Sequence, residues 1–237
     1  MTERRLLAPS LPPDGGAVRL GEGAAKHARV LRLAVGDAVV LFDGEGAESD
    51  ATIEALDARS LACRAGPRRV RARVGPRVVL CQALPKGNKL ESLVRACTEA
   101  GVDAIRFFVG ERSVAKPGDD RFEHRLERLE RIASEAARQA TRADVPRLHP
   151  LARLDAVLED AEPNARKLVA VVGAEPLAQA PADVAWIVVG PEGGLTPSEI
   201  ARAVAAGFSP AGLGPYALRV ETAAPIACAL VRASCRG

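Results

Sequence analysis

Aromatic side chains make up only 3% of this 237-residue chain, with one Trp, one Tyr and five Phe. Large rings therefore cannot carry the interior, which has to rest on Ala, Val and Leu. The five cysteines, Cys63, Cys81, Cys97, Cys228 and Cys235, are far apart, form no Cys-x-x-Cys, and have only three histidines for company. Such spacing weighs against a metal site or a disulfide framework, and a reducing compartment is the default. No apolar run approaches the roughly 18 residues of a membrane span. The opening MTERRLLAPSLPPDGG lacks the apolar centre of a signal peptide, so the expectation is a cytoplasmic protein with no membrane partner. Internal repeats and low-complexity tracts are missing too.

What is present suits an enzyme: 48% hydrophobic and 27% charged residues, with a net charge of +3. The length suggests one large or two small domains. The basic residues are almost all arginine, which favours phosphate or carboxylate partners, although a compositional bias of the genome would give the same result.

Two textures divide the chain. From Arg5 to about Cys63, short β-like runs alternate with Gly and Asp turns, as in a small barrel or sandwich, with a helix expected in GAAKHARVLRL. Between two Gly-Pro dipeptides lies CRAGPRRVRARVGPR, with Arg68, Arg69 and Arg71 at its centre. It reads equally as a solvated linker or edge strand and as a strip that tracks phosphates. The Gly-Pro breaks place a domain boundary near residues 66–76. Beyond it, strand-like and helix-like segments alternate, from RVVLCQAL and NKLESLVRACTEAG through to ETAAPIACALVRAS. That order predicts an α/β domain with a mostly parallel sheet covered on both faces.

The stretch IVVGPEGGLTPSEI compresses a strand, a glycine turn and a helix start. Thr196, Pro197 and Glu199 form an N-cap, a favoured first-turn proline and a capping box. A phosphate site fits poorly, because the box occupies the helix donors, no Walker Lys follows, and Glu192 would repel a pyrophosphate. An adenosyl or otherwise cationic ligand fits better, and a tight turn with no ligand remains the alternative. Gly173, Gly190 and Gly214 mark three strand ends, where open α/β sheets bind ligands.

Six segments in order, HARVLRLAVGDAVVLFDGEG, QALPKGNKLESLVRACTEAGV, ERSVAK, RIASEAARQATRADVP, VGPEGGLTPSEI and LGPYALRVETAA, give the chain a specific likeness. It resembles the bacterial small-subunit rRNA uridine-N3 methyltransferases, of the SPOUT class of knotted methyltransferases. The resemblance implies a PUA-like β-barrel RNA-binding domain over residues 1–72 and a trefoil-knotted α/β methyltransferase domain over 73–237. It further implies a homodimer that uses S-adenosylmethionine to methylate N3 of a uridine in 16S rRNA, naked or in an assembled 30S subunit.

The cofactor residues implied are Val172, Gly173, Val189, Gly190, Glu192, Gly193, Gly194, Leu213, Gly214, Leu218, Arg219 and Thr222. Glu221 is the carboxylate placed to take the N3 proton, with Arg112 or Arg219 to stabilise a uracil anion. RNA contacts fall on Lys86, Lys89, Arg112, Lys116, Arg138 and Arg142, beside the Arg68, Arg69 and Arg71 strip, and plain surface charge is the alternative for each. Glu221 also suits the N-terminus of the last helix. The chain departs from the family at His27, which stands where several histidines are usual, and at Tyr216 and Ala217, where an arginine and an isoleucine are usual. Two rival functions remain: an RNA-binding or ribosome-assembly module without catalysis, and a knotted methyltransferase acting on tRNA or another base.

Overall fold

A computed structural model describes residues 4–114 and 119–235. The described residues divide into two compact units, one holding the chain up to Arg73 together with Ala137–Val145, the other holding the rest.

The first unit contains β1 (Arg5–Leu7), β2 (Gly16–Leu20), α1 (Glu22–Val30), β3 (Ala38–Phe42), β4 (Ala47–Leu56), β5 (Leu61–Ala65) and β6 (Arg69–Val70). They form one sheet in the order β1-β3-β4-β5-β2, with β6 paired to β4. Only the β1–β3 pair is parallel. In β4 the alternation of Ala51 and Ile53 with exposed neighbours directs one face to a core shared with Leu41, Leu61 and Cys63. Helix α1 closes that core with its small residues Ala25 and Ala28. Under this sheet lies Arg5, 2% exposed, which donates to Glu48 at 2.7 Å and stacks on Phe42. A buried cation is tolerated only with such partners.

The same unit takes back a later piece of chain. Val145 N–H donates to the Gly44 carbonyl and Gly46 N–H to the Ala143 carbonyl, each close to 3 Å. Arg5 also donates to the carbonyl of Arg142, and Arg71 to that of Thr141.

The second unit contains β7 (Arg77–Ala83), α2 (Lys89–Glu99), β8 (Ala104–Phe108), α3 (Asp119–Gln139, whose last residues count with the first unit), β9 (Arg147–Ala152), α4 (Leu154–Glu159), β10 (Arg166–Ala170), β11 (Val184–Val189), α5 (Pro197–Ala205), β12 (Ser209–Ala211) and α6 (Val220–Ser234). Its six strands are all parallel, in the order β12-β10-β11-β7-β8-β9. Strands β7 and β11 are mostly apolar because both their faces are covered, with Arg77 opening β7 and Gln82 its one buried polar residue. Val79, Cys81 and Val188 pack with Leu154, Val157 and Ala203 of α4 and α5, while α2 and α6 pack together, α6 also against β7 and β11.

Strands β9 and β12 escaped the periodicity reading or were misjudged in length, and proline explains both. Pro150 lies in β9 beside a register shift, and Pro210 lies in β12. Both strands are sheet edges, where a missing N–H is tolerated. The sequence reading extended the strand to Gly214; it ends at Ala211.

Candidate active site

The site lies beyond the carboxyl ends of β10, β11 and β12, where three loops meet. After Val189 the chain turns so sharply that a Cβ on Gly190 would stand 2.8 Å from the backbone nitrogen of Leu195. Gly194 N–H closes the turn on the Pro191 carbonyl at 2.9 Å, with Gly194 at φ +67°. The turn feeds the capping box of α5: Glu199 N–H donates to Thr196 Oγ1 at 3.2 Å, and Thr196 N–H to Glu199 Oε2 at 2.7 Å. These are the helix-start contacts that the sequence pattern predicted.

The loops after β10 and β12 are laced together. Gly212 N–H donates to the Glu175 carbonyl and Leu177 N–H to the Gly212 carbonyl. A Cβ on Gly212 would lie 2.4 Å from the Ala174 oxygen, so only glycine fits. Sequence reasoning passed over Gly212, because its need arises from a neighbouring strand's loop rather than from its own turn.

Between the loops lies a cavity of about 160 Å³. Eight residues singled out from the sequence line it: Val172, Val189, Gly190, Glu192, Gly194, Leu213, Gly214 and Leu218. Four others, Gly173, Gly193, Arg219 and Thr222, flank the same loops without lining it. Arg219 takes the N-cap position of α6, which begins at Val220, and its carbonyl accepts from the N–H groups of Thr222 and Ala223. The sequence reading missed Val171 and Ala223, lining residues too small or generic to stand out, whereas Tyr216 and Ala217, noted there only as departures from the family, both line the cavity. Among the described residues no Lys or Arg lines the cavity, and Glu192 is the one charged residue that does.

Glu192 is tethered on its outer side. Lys86 N–H donates to both its oxygens at 3.1 and 3.2 Å, and Lys89 Nζ lies 3.0 Å from Oε1. Partial burial pushes the Glu192 carboxyl up, but Lys89 and the backbone donors outweigh it and hold it below the ordinary range. Glu221 is held low by its own backbone amide, against slight desolvation, and by Lys89 at 3.3 Å.

A second layer ties the loop after β8 to this turn. Arg112 donates to the Gly193 carbonyl at 2.8 Å and lies along that glycine's open side. Glu111 N–H donates to Glu199 Oε1 at 2.8 Å, while the Glu111 carboxylate takes Thr196 and Arg202, each at 3.0 Å. Glu199, 1% exposed, thereby serves two elements.

The remaining cations separate by unit. Arg68, Arg69, Arg71, Arg138 and Arg142 belong to the first, and Lys86, Lys89 and Arg112 to the second. Lys116 lies outside the described residues. Arg68 pairs with Asp43 at 3.1 Å, Arg69 with Asp50 at 2.7 Å and Glu48 at 3.2 Å, and Arg142 with Asp144 at 2.5 Å. Arg71 adds a contact to Glu48 at 3.8 Å. Arg138 is half-buried and engaged. All five cysteines are free and buried, and desolvation pushes Cys63 up to about 11, which leaves no thiolate nucleophile there.

Comparison with known proteins gives this geometry a context. The RNA methyltransferase domain family matches residues 73–232, and the RNA methyltransferase PUA domain family matches residues 20–65. The protein of Mycobacterium bovis named ribosomal RNA small subunit methyltransferase E is 34% identical over 229 residues, covering 92% of this chain and 87% of its own. The Bacillus subtilis protein of the same name is 31% identical over 215 residues, 86% and 84% of the two chains. Among solved structures, the Neisseria gonorrhoeae protein of that name, bound to S-adenosyl methionine, superposes with a TM-score of 0.88 at 27% identity, covering 97% of this chain and 96% of that one. A Legionella pneumophila protein in complex with bound SAM superposes with a TM-score of 0.89 at 28% identity, over 99% and 98%. With two thirds of its length matched by the domain and over nine tenths by a relative above 30% identity, the chain is a member of the RNA methyltransferase family.

Proposed function

We propose that this protein uses S-adenosylmethionine to methylate N3 of a uridine in 16S ribosomal RNA. One observation carries the reading: in an arginine-rich chain, the cavity at the strand ends is lined, among the described residues, by no basic group and a single carboxylate. Such a lining rejects phosphate and suits a cationic adenosyl ligand. The turn that walls the cavity needs glycine at its start, because a Cβ at Gly190 would meet the backbone of Gly194 and Leu195. The relatives named ribosomal RNA small subunit methyltransferase E support the choice of substrate.

Bound there, S-adenosylmethionine supplies an electrophilic methyl group on a sulfonium. Val189, Leu213 and Leu218 would line one side of the ligand and Val172, itself largely exposed, its rim, while Gly173, Gly193, Arg219 and Thr222 flank the loops that would hold it. Holding acceptor and donor in contact supplies most of the rate. The target uracil has to be unpaired or flipped for N3 to be reached. Glu221 takes the N3 proton, and Arg219 and Arg112 face the charge that develops on the base.

RNA is held by Arg68, Arg69, Arg71, Arg138 and Arg142 on a PUA-like domain and by Lys86, Arg112 and Lys116 on the methyltransferase domain, while Lys89, expected among them from the sequence, is engaged by Glu192 and Glu221 instead. The strands from β10 onward form a trefoil knot. What supports it is that the chain leaves the sheet edge at β12 and returns through α6 to pack on α2, β7 and β11. Two copies associate as a homodimer, a reading supported by the exposed Val172 and Tyr216 beside the cavity and Leu230 on α6. An rRNA substrate, as 16S rRNA or the 30S subunit, places the protein in the cytoplasm.

The test is transfer of labelled methyl from S-adenosylmethionine to small ribosomal subunits lacking the modification, followed by nucleoside mass spectrometry. 3-Methyluridine is the expected product. A different methylated nucleoside would reassign the base, and no transfer with cofactor bound would reassign the RNA.

A further inference from the structure

Lys89 stands where two walls of the cavity meet. It is the first residue of α2, and its Nζ lies 3.0 Å from Glu192 Oε1, in the glycine turn, and 3.3 Å from Glu221 Oε2, in the first turn of α6. Glu192 lines the cavity, and so do Val220 and Ala223 on either side of Glu221. Glu221 Oε2 is sealed from solvent and receives no hydrogen bond of good geometry, so the ammonium is the charge it meets.

We propose that Lys89 is a positioning residue for methyl transfer, clamping the carboxylates of Glu192 and Glu221 so that the glycine turn and α6 keep the spacing a cofactor needs. The proposal rests on the S-adenosylmethionine reading of the cavity. Two carboxylates bound to one nitrogen have oxygens within about 6 Å of each other, a separation at which like charges resist joint ionisation unless a cation lies between them. Lys89 is that cation. Among the described residues, Arg219, ahead of α6, is the other cation that acts on Glu221, and Arg112 lies close by, bonded to the carbonyl of Gly193 next to Glu192. Neither bridges the two carboxylates. With Lys89 the trio keeps both carboxylates ionised and a net charge of −1 toward a cationic ligand. Without it, one carboxylate takes up a proton nearer neutrality and the turn separates from α6. A phosphate contact for Lys89 would first have to displace both carboxylates.

Calorimetric titration of the full-length protein with S-adenosylmethionine between pH 5.5 and 8 tests this. Wild-type affinity is expected to be flat over that range, because both carboxyls sit below the ordinary value. Lys89→Met is expected to bind about ten-fold or more weakly, with the loss growing as pH falls. Lys89→Arg restores most of the affinity, and the double variant Lys89→Met, Glu221→Gln loses the pH dependence because the like-charge conflict is gone. In turnover, KM for the cofactor rises in Lys89→Met more than kcat falls. Lys89→Met binding with wild-type affinity at every pH, while its affinity for a small-subunit rRNA fragment drops, would overturn the clamp and make Lys89 a phosphate contact. A wild-type protein that binds no S-adenosylmethionine would overturn the cofactor reading instead, whatever Lys89 does.

Discussion

Gly190 and Gly194 are four residues apart in one turn and are glycine for different reasons, which substitution can separate. A Cβ at Gly190 runs into the backbone of Leu195, which cannot swing aside. Gly190→Ala should therefore cost about 1–3 kcal/mol and reduce cofactor affinity at least 100-fold, as seen by chemical denaturation and calorimetry. Gly194 has open space around its Cβ position but a φ of +67°. Gly194→Asn, which tolerates that conformation, should keep most of the stability, whereas Gly194→Val should lose about 1–2 kcal/mol. Equal losses at both glycines would refute this division. The motif announced these glycines because turn chemistry is local. Arg5 with Glu48, Gly212 with Ala174 and Lys89 with Glu221 gave no such signal, since each pairing joins residues from separate elements.

Helix α5 was the most legible element: Thr196, Pro197 and Glu199 define its start within four residues, and the structure has that start. What the pattern did not disclose is the second task of Glu199, accepting the Glu111 N–H. A local capping rule predicts that Thr196→Ala costs about 1 kcal/mol. Glu199→Ala should cost more, about 2–4 kcal/mol, because it leaves the donors of Thr196 and Glu111 without their acceptor. Urea denaturation of the two variants checks the ratio; equal costs would reduce Glu199 to an ordinary cap. Edge strands were the least legible, since Pro150 and Pro210 erase the alternation by which a strand is found. The parallel central strands β7 and β11 were plain, because burial on both faces leaves them almost wholly apolar, Gln82 in β7 being the exception.

Across the whole molecule, charge that looks like a nucleic-acid strip is also structural. Glu48, Asp50 and Asp144 all sit below their ordinary values: burial raises Glu48 and Asp144, Arg5 and Arg142 more than compensate, and Arg69 lowers Asp50. The sign follows from linkage. Groups depressed in the folded state stabilise it above their unfolded values, near 4, and that contribution is lost as pH falls through the folded ones. The unfolding temperature should be level from pH 8 to about 5 and drop below about 4. Glu48→Gln, which removes the carboxylate that buried Arg5 meets at 2.7 Å, should cost about 3 kcal/mol or more at pH 7, and a loss under about 1 kcal/mol would deny the pair a stabilising role. Triple charge reversal at Arg68, Arg69 and Arg71 should weaken RNA binding and flatten its salt dependence, while also loosening β4, which carries Glu48 and Asp50, and the turn at Asp43 that leads into it.

The return of Ala137–Val145 to the first unit has a consequence for biosynthesis. Residues that satisfy Gly44, Gly46 and buried Arg5 leave the ribosome long after the strands they complete. At about 5–20 residues per second, the N-terminal sheet waits for several seconds with those groups open to water. Its final closure is therefore timed by translation of the elements in between, and a slow stretch of codons ahead of residue 137 would lengthen the interval in which a holding chaperone can engage the nascent chain.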